Sequence, residues 1–496
     1  MVEQPYEDLF YQPAWRRAGA ARGTASAAGG TWLLFEHDEG GLKGLGTLLA
    51  EAGGEPVFVR PGAAFRRGPA TATIDPRSPD HHHDLIDQVG GGLRGVVHAW
   101  ASDQSGEPEE PSPSGLLSAL YLVQALVRTE VARRTRLFLV TRGAQSVRPA
   151  GDSVAPAQTT MWGLGRSAAF EHPTLRTALI DLDPEPGEQE VDLLAHELLS
   201  ESGAEEVALR GHDRYVCRLA RLEMPRPSTP QVSMREDGGY LIVGGLGGLG
   251  LTTARWMAQR GAGRLALMQR RAPDADGLRE VEALRRTGAT VEVVQGDVTD
   301  ADDVARALSA AGRECDLRGV VHSAAALDDA PIVSQTGERF ETVLSPKVRG
   351  SLNLHRQTAS AELDLLVLFS SGASFIGPPG QSNYSAANNF IDGLAARRRA
   401  DGLPATAVNW GAWSEVGGAA RLGLMSVLER FGLAPISPSE GMVCLERLIA
   451  AGVGQALVLK ADWTRFVDAV WLGDGPPLLA ELDGRETPAQ PREHRP

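Results

Sequence analysis

The sequence predicts an α/β protein built from two Rossmann-like, doubly wound subdomains. Three observations carry that expectation. Apolar runs of strand length alternate with segments of helical spacing, the pattern of a parallel sheet covered on both faces. One strand–helix scheme recurs in the second half at a near-constant offset. A glycine-rich loop joins a buried strand to a helix, but only in the second copy.

Taken in order, residues 1 to about 30 read as irregular, ending in an Ala/Gly-rich stretch. Thr31 to Phe35 reads as a buried strand, Leu42 to Ala52 as a helix, and Pro56 to Val59 as the next strand. Leu93 to Trp100 is a further buried strand, and Ser102 to Ser114, rich in Pro, Ser and Glu, is a surface loop. Leu116 to Val127 has helical spacing, and Arg136 to Ala144 is again a strand. The scheme then repeats. Leu93–His98 (LRGVVH) recurs as Leu317–His322, 224 positions on. Leu137–Ala144 (LFLVTRGA) matches Leu366–Ala373 (LVLFSSGA), and Ala178–Asp181 falls on Ala407–Trp410, both 229 positions on. Two copies of one fold follow, joined near the proline-rich stretch Pro225–Pro230. The expected division is residues 1–226 as a structural copy, 227–472 as a catalytic copy, and 473–496 as a polar tail or linker.

Composition excludes several classes. The chain has 496 residues, 42% hydrophobic and 23% charged, ordinary for a globular protein of two or more domains. No run of eighteen apolar residues marks a membrane span, and MVEQPYEDLF is not a signal peptide. Three scattered cysteines predict neither a disulfide framework nor a zinc site, which fits a reducing cytoplasm. A net charge of −14 argues against nucleic acid as a partner. His81–His83 reads as a solvated loop rather than a metal site, and Arg397–Arg399 as the exposed end of a helix.

The glycine loop follows the strand Tyr240–Val243. Gly245, Gly247 and Gly250, with Leu246, Gly248 and Leu249 between them, satisfy G-x-G-x-x-G directly before a helix. In that setting glycines allow a tight turn and close approach to a pyrophosphate, which the helix N-terminus then faces. The next strand ends at Gln269-Arg270-Arg271, where an NAD site would carry an acid. Two arginines suit a 2′-phosphate, so NADPH is the expected cofactor. Asp297 and Val298, after the strand Val291–Gln295, are placed to read the adenine edge.

The candidate chemistry lies in Asp364–Leu394. Ser371 stands at the end of an apolar strand, Tyr384 thirteen residues later at a helix start, and Asn388 one turn beyond on the same face. Lys347 is the sole lysine between Lys43 and Lys460, and a buried amine shifts its pKa where a guanidinium does not. Together Lys347, Ser371, Tyr384 and Asn388 form a carbonyl-reducing set. At the 229 offset the first copy has Arg142, Ala155 and Thr159 where the second has Ser371, Tyr384 and Asn388. It keeps the fold and lacks the chemistry, which makes it a buttress.

With these residues in place the chain resembles a B-type ketoreductase domain of a modular (type I) polyketide synthase, within the short-chain dehydrogenase/reductase superfamily. The resemblance spans nearly all of residues 5 to 472. It includes TRGAQ (Thr141–Gln145), MWGLGRSAAFEHP (Met161–Pro173), HSAAALDDAPI (His322–Ile332), SPKVRG (Ser345–Gly350), GQSNYSAAN and NWGAWSEVG (Asn409–Gly417). It implies that Tyr384 protonates a β-keto oxygen while NADPH delivers hydride, that Lys347 lowers the tyrosine pKa and holds the nicotinamide ribose, and that Ser371 orients the oxygen. Asn388 would hold the lysine or a proton-supplying water. Ser323 and Ala324 would border the cofactor, and Gln381 the substrate. Leu327-Asp328-Asp329 resembles the marker for a D-configured hydroxyl, Leu368 stands where the opposite type has tryptophan, and Ala386 where epimerising members carry proline. Val243 and Ala325 replace a common threonine and glycine, the latter crowding the cofactor slightly. The implied partners are an acyl carrier protein bearing a phosphopantetheine-linked β-ketoacyl chain and other synthase domains. The main alternative is a reductively silent domain acting as α-epimerase or scaffold. Two others are a pure docking module and a stand-alone reductase of small ketones.

Overall fold

The computed structural model describes residues 6–19, 29–37, 42, 44–102, 109–112, 114–148, 151–200, 206–225, 232–471 and 475–482. Most of the expected linker Pro225–Pro230, part of the Ser102–Ser114 loop and most of the 473–496 tail lie outside these residues.

The first half supplies strands β1 (Phe10–Ala18), β2 (Gly30–Phe35), β3 (Gly54–Pro61), β4 (Arg66–Arg67), β5 (Thr71–Ile74), β6 (Leu93–His98), β7 (Arg136–Arg142), β8 (Ala178–Leu182), β9 (Glu206–Arg210) and β10 (Asp213–Arg221). The second supplies β11 (Gly238–Val243), β12 (Arg264–Gln269), β13 (Thr290–Gln295), β14 (Asp316–His322), β15 (Leu365–Ser371), β16 (Thr406–Trp410), β17 (Leu433–Ala434), β18 (Gln455–Val458) and β19 (Lys460–Ala461).

Each half contains a seven-stranded parallel run in the same order. The first is β5-β3-β2-β6-β7-β8-β9 and the second β13-β12-β11-β14-β15-β16-β18. This is the doubly wound order with its crevice between the first and fourth strands of each run. The likeness extends to an irregularity. The register slips between Thr31 and Trp32 where β2 meets β6, and between Gly239 and Tyr240 where β11 meets β14. In both copies an aromatic ring then covers a glycine. A Cβ on Gly95 would lie 2.5 Å from the Trp32 ring, and one on Gly319 2.7 Å from Tyr240. A strand glycine at such a close approach is forced by its neighbour.

The expectation that residues 1–30 are irregular fails at β1. That strand runs antiparallel to β10 over Tyr11–Ala18 and meets β18 through Phe10 and Tyr11, while β10 is antiparallel to β9. Two parallel runs are thereby sewn into one continuous sheet. Pro13 can sit mid-strand because only part of β1 has a partner on both sides.

A second seam is helical. The helix Pro156–Glu171 of the first half packs along Ser382–Ala400 of the second, and both are buried over most of their length. Glycines let the backbones touch: a Cβ on Gly163 would lie 2.4 Å from backbone atoms of Ser385 and Ala386, and one on Gly393 2.5 Å from Thr159. Thr159 Oγ1 donates to the Asn389 carbonyl at 2.7 Å. Arg166, buried with Glu206 in a two-pronged ion pair, donates to the Ser374 carbonyl at 2.6 Å. Such a pair satisfies the desolvated charge while it reaches across the seam.

Three further expectations change. His81–His83 is not a loop but lies in the helix Pro79–Val89, capped by Ser78, and His82 is buried with Nε2 2.9 Å from Ser118 Oγ. No cluster fit to hold a metal occurs among the described residues. Arg398 is fully buried beneath its exposed neighbour Arg399, because it donates to the Pro404 carbonyl where the chain turns back. The polar tail is anchored at its start: Leu478 and Leu479 are buried, and Glu481 pairs with Arg16. No helix among the described residues is long and apolar enough to cross a membrane.

Candidate active site

The glycine loop leaves β11 with Gly244 at φ +77°, a left-handed turn that favours glycine. Its tightness explains the sequence pattern. A Cβ on Gly250 would lie 2.1 Å from the Gly244 carbonyl, and one on Gly245 2.8 Å from Leu267. Gly247 and Gly248 remain exposed at the N-terminus of the helix Gly248–Gln259. Leu246 and Leu249 turn toward the core beneath them. A cradle closed on its inner side by glycines and open on its outer side, with free amides at a helix start, fits a dinucleotide pyrophosphate.

The neighbouring strands complete the cradle. Ser323 follows β14 and donates through Oγ to the Val243 carbonyl at 2.7 Å, so Ser323 and Ala324 lie against the glycine loop. Arg270 and Arg271 are exposed beyond β12, and neither guanidinium has a partner among the described residues. Asp297 Oδ1 accepts from both the backbone N–H and the hydroxyl of Thr299, which fixes the turn. Val298 is buried against Gly350. Ala325 is exposed.

Lys347 lies in the helix Gly337–Thr358, which is pinned to β14 by His322 Nε2 donating to the Pro346 carbonyl at 3.0 Å. Its side chain is 2% exposed, and Nζ donates to the Phe369 carbonyl of β15 at 2.8 Å, 5.8 Å from the Tyr384 ring centre. Burial lowers the ammonium pKa to about 8, opposed by the charge of Asp392. Ser371 closes β15, its Oγ accepting from the Ala373 N–H at 3.2 Å. Tyr384 sits in the first turn of Ser382–Ala400, partly exposed, with its backbone N–H on Asn383 Oδ1. Lys347, Ser371 and Tyr384 thus meet at the carboxyl ends of the parallel strands, beside the cradle.

Two expected details differ. The Tyr384 phenol is not lowered: burial raises its pKa, and the polar groups of Asn388 and Ser371 only partly oppose the rise. The lysine charge is itself buried and directed at a carbonyl, so it does not dominate. Asn388 does not hold Lys347. Its Nδ2 donates to the Tyr384 carbonyl at 2.8 Å, and its buried Oδ1 has no partner among the described residues.

The segment Leu327-Asp328-Asp329 is bound to the start of the tyrosine helix. Asn383 Nδ2 donates to the Asp328 carbonyl at 2.8 Å, Gln381 Nε2 to Asp329 Oδ2 at 2.7 Å, and Asp328 pairs with Arg339. Leu327 is exposed toward Gly418, in a segment whose Val416 also touches Gly248. One strap, Val416 to Gly418, therefore spans the glycine loop and Leu327. Ala386 is fully buried under Gly163.

Sequence reading missed a buried polar cluster beneath these groups. Asn409 Nδ2 lies within 2.7 Å of Asp392 Oδ2 and Ser374 Oγ and 2.9 Å of Ser370 Oγ. Burial raises the Asp392 pKa to about 6. A signal was present: Asp392 is two turns beyond Tyr384 and one beyond Asn388, so all three share a helix face.

A dinucleotide cradle beside a Tyr/Ser/Lys cluster, on a doubly wound sheet, defines the short-chain-dehydrogenase class of fold. Comparison narrows it. Residues 238–415 match the family described as the KR domain, and residues 49–219 the Rossmann fold domain of polyketide synthase extender module SpnB. The first ketoreductase of the tylosin synthase is 30% identical, covering 97% of this chain and 98% of that one, with a TM-score of 0.79. An A1-type and a C2-type ketoreductase are 28% and 29% identical, each with a TM-score of 0.81 over 96% of this chain and 98% and 97% of theirs. A phenolphthiocerol/phthiocerol polyketide synthase of Mycobacterium tuberculosis is 40% identical over 98% of this chain, and polyketide synthase GfsA of Streptomyces halstedii 33% over 93%. This chain spans only 28% and 6% of those two proteins. The chain belongs to the ketoreductase domains of modular polyketide synthases.

Proposed function

We propose that the protein reduces a β-ketoacyl thioester to the β-hydroxyacyl thioester with NADPH. The product is the D-alcohol, formed without α-epimerisation. The acyl chain arrives on the phosphopantetheine arm of an acyl carrier protein, and other synthase domains act before and after. The observation that carries this reading is the meeting of Tyr384, Ser371 and Lys347 beside the glycine cradle.

The residues of that cradle would hold a nicotinamide cofactor, which would supply hydride for the carbonyl carbon. Tyr384 gives its proton to the keto oxygen. A phenol raised by burial is fully protonated at neutral pH, the form an acid needs. Ser371 donates its hydroxyl hydrogen to the same oxygen and fixes the direction of the carbonyl. The Lys347 ammonium, near the tyrosine ring, stabilises the phenolate left behind. General acid catalysis of this kind is worth about 10²- to 10⁴-fold, and positioning supplies much of the rest.

The choice of NADPH is supported by Arg270 and Arg271, which offer exposed guanidinium groups, unpaired among the described residues, where an acid would favour NAD. The stereochemical assignment rests on Leu327-Asp328-Asp329, held at the mouth by Gln381 and Asn383.

One assay tests all parts. Consumption of reduced nicotinamide with a β-ketoacyl thioester surrogate is followed by absorbance, and the product is resolved on a chiral phase. The D-alcohol is expected. The L-alcohol would discard the marker, and no turnover with intact NADPH binding would discard the reductase. Arg270→Ala with Arg271→Ala should weaken NADPH by about tenfold or more and leave NADH nearly unchanged, since each charge-assisted bond is worth roughly 1.5–3 kcal/mol.

A further inference from the structure

We infer that Glu171, from the half without catalytic groups, is a specificity-determining positioning residue for the substrate mouth. The inference rests on the reductase reading of the site above. Glu171 ends the helix Pro156–Glu171, and its carboxylate reaches across the seam. Oε2 accepts from the Ile332 N–H at 2.8 Å, and Oε1 from the Gly380 N–H at 2.9 Å. These two amides belong to the two segments that Gln381 and Asn383 tie together and that, on the reductase reading, wall the substrate mouth. Ile332 closes the segment that carries Leu327, Asp328 and Asp329. Gly380 immediately precedes Gln381 and the tyrosine helix. The walls also touch each other, through the Ala330 N–H on the Gly380 carbonyl at 2.9 Å.

A single carboxylate bridging two backbone amides fixes the distance between the walls. Both bonds are charge-assisted, and a carboxylate can accept both without offering a competing donor. The helix that carries it is itself held rigidly by Gly163 and Arg166, so the first half sets the position of the clamp.

A second residue of the same half acts alongside. Gln124, in the helix Leu116–Val127, donates both amide hydrogens, to the Ile332 and Gln335 carbonyls, each at 2.8 Å. Gln335 passes the constraint back, its Nε2 donating to the Ala330 carbonyl at 2.9 Å. Residues 330–335 are thus gripped from outside at several backbone groups, while Asp328 and Asp329 are gripped from the tyrosine helix. The geometry of the stereochemical marker is shared between the halves.

The test is Glu171→Gln, which keeps shape and replaces one acceptor oxygen with a donor facing an N–H. Two readouts are taken. Amide exchange, which needs no turnover, is expected to quicken about tenfold or more at the amides of 328–330, 332–334 and 380–381 and nowhere else, following the loss of charge-assisted bonds. With an α-substituted β-keto thioester surrogate, KM should rise about tenfold and the minor alcohol should increase, while kcat on an unsubstituted surrogate and NADPH affinity stay within about twofold. Unchanged exchange and unchanged product would overturn the inference. Local loosening with unchanged product would also overturn it, by reducing Glu171 to a purely structural group. If the wild type fails to turn over, the reductase reading falls; the exchange experiment then still decides whether the clamp exists. If Glu171→Gln does not fold, Gln124→Leu removes the companion grip, and wild-type exchange and selectivity in that variant would defeat the proposal.

Discussion

The helices Pro156–Glu171 and Ser382–Ala400 follow corresponding strands of the two parallel runs and lie against each other along the seam. One carries Tyr384 and Asn388 near its start; the other has Ala155 and Thr159 at the same offset. The scaffold beneath them is the same down to a slipped register and an aromatic ring over a strand glycine. Chemistry in this fold therefore depends on a few positions at the carboxyl ends of the strands, while the rest of the architecture persists without it. The first copy has not become inert. Freed from holding a cofactor, its helix can bury both faces, and it does so by presenting Gly163, Thr159 and Arg166 to its partner.

The comparison is broken most sharply at Tyr384. Tyr384→Phe should cut reduction by about a hundredfold or more, the lower range of general acid catalysis, with NADPH binding retained. Absorbance for turnover and fluorescence titration for binding separate the two. In the first copy, Thr159→Val, at the position matching Asn388, should leave turnover within a few-fold while lowering stability, since it removes a buried hydrogen bond to Asn389.

Gly163→Val tests whether the halves are one folding unit. Its side chain would meet backbone rather than a movable side chain, so about 1–3 kcal/mol or more should be lost, read as an earlier urea midpoint. Gly187→Ala, where nothing lies within 4 Å, is the control and should be nearly neutral. Two separate transitions in Gly163→Val would mean the seam couples otherwise independent halves.

A graded effect, spread over pH, concerns His98 and His322, at corresponding positions of the repeat. Burial holds both neutral, with pKa lowered to about 3 in each, and His82 to about 4. An unfolded histidine takes a proton near pH 6.5, so below that value the unfolded chain binds more protons than the folded one. Stability should therefore fall as pH drops from about 6.5, by about 1.4 kcal/mol per unit for each histidine. Asp392, raised to about 6, acts in the opposite sense between roughly pH 4 and 6 and offsets only one of the three. Thermal melts across pH should show His98→Gln and His322→Gln flattening this slope alike. Only His322→Gln should also alter reduction, because His322 holds the helix of Lys347.

What was legible in the sequence was local. The glycine loop, the repeat of LRGVVH and the Ser371–Tyr384–Asn388 spacing each fit within one or two elements, so strand and helix periodicity place them. What was not legible depends on remote partners. Nothing in Phe10–Ala18, with its proline and two arginines, announces a central strand, because its partners are Asp213–Arg221 and Val458. His82 and Arg398 look like surface residues until Ser118 and Thr358 are brought to them. Glu171 stands in the EHP motif with no local sign that its acceptors face Ile332 and Gly380.

The seam at β1 also has a temporal side. A ribosome extends a chain at about 5–20 residues per second. Phe10 and Tyr11 emerge ahead of their neighbours Leu457 and Val458, which follow only after some tens of seconds at that rate. For that interval a strand destined for the middle of the sheet has an open edge, of the kind that invites foreign pairing. Its guard is already in the sequence: Arg16, Arg17 and Pro13 interrupt the run, so the strand waits for its partners without becoming a template for others.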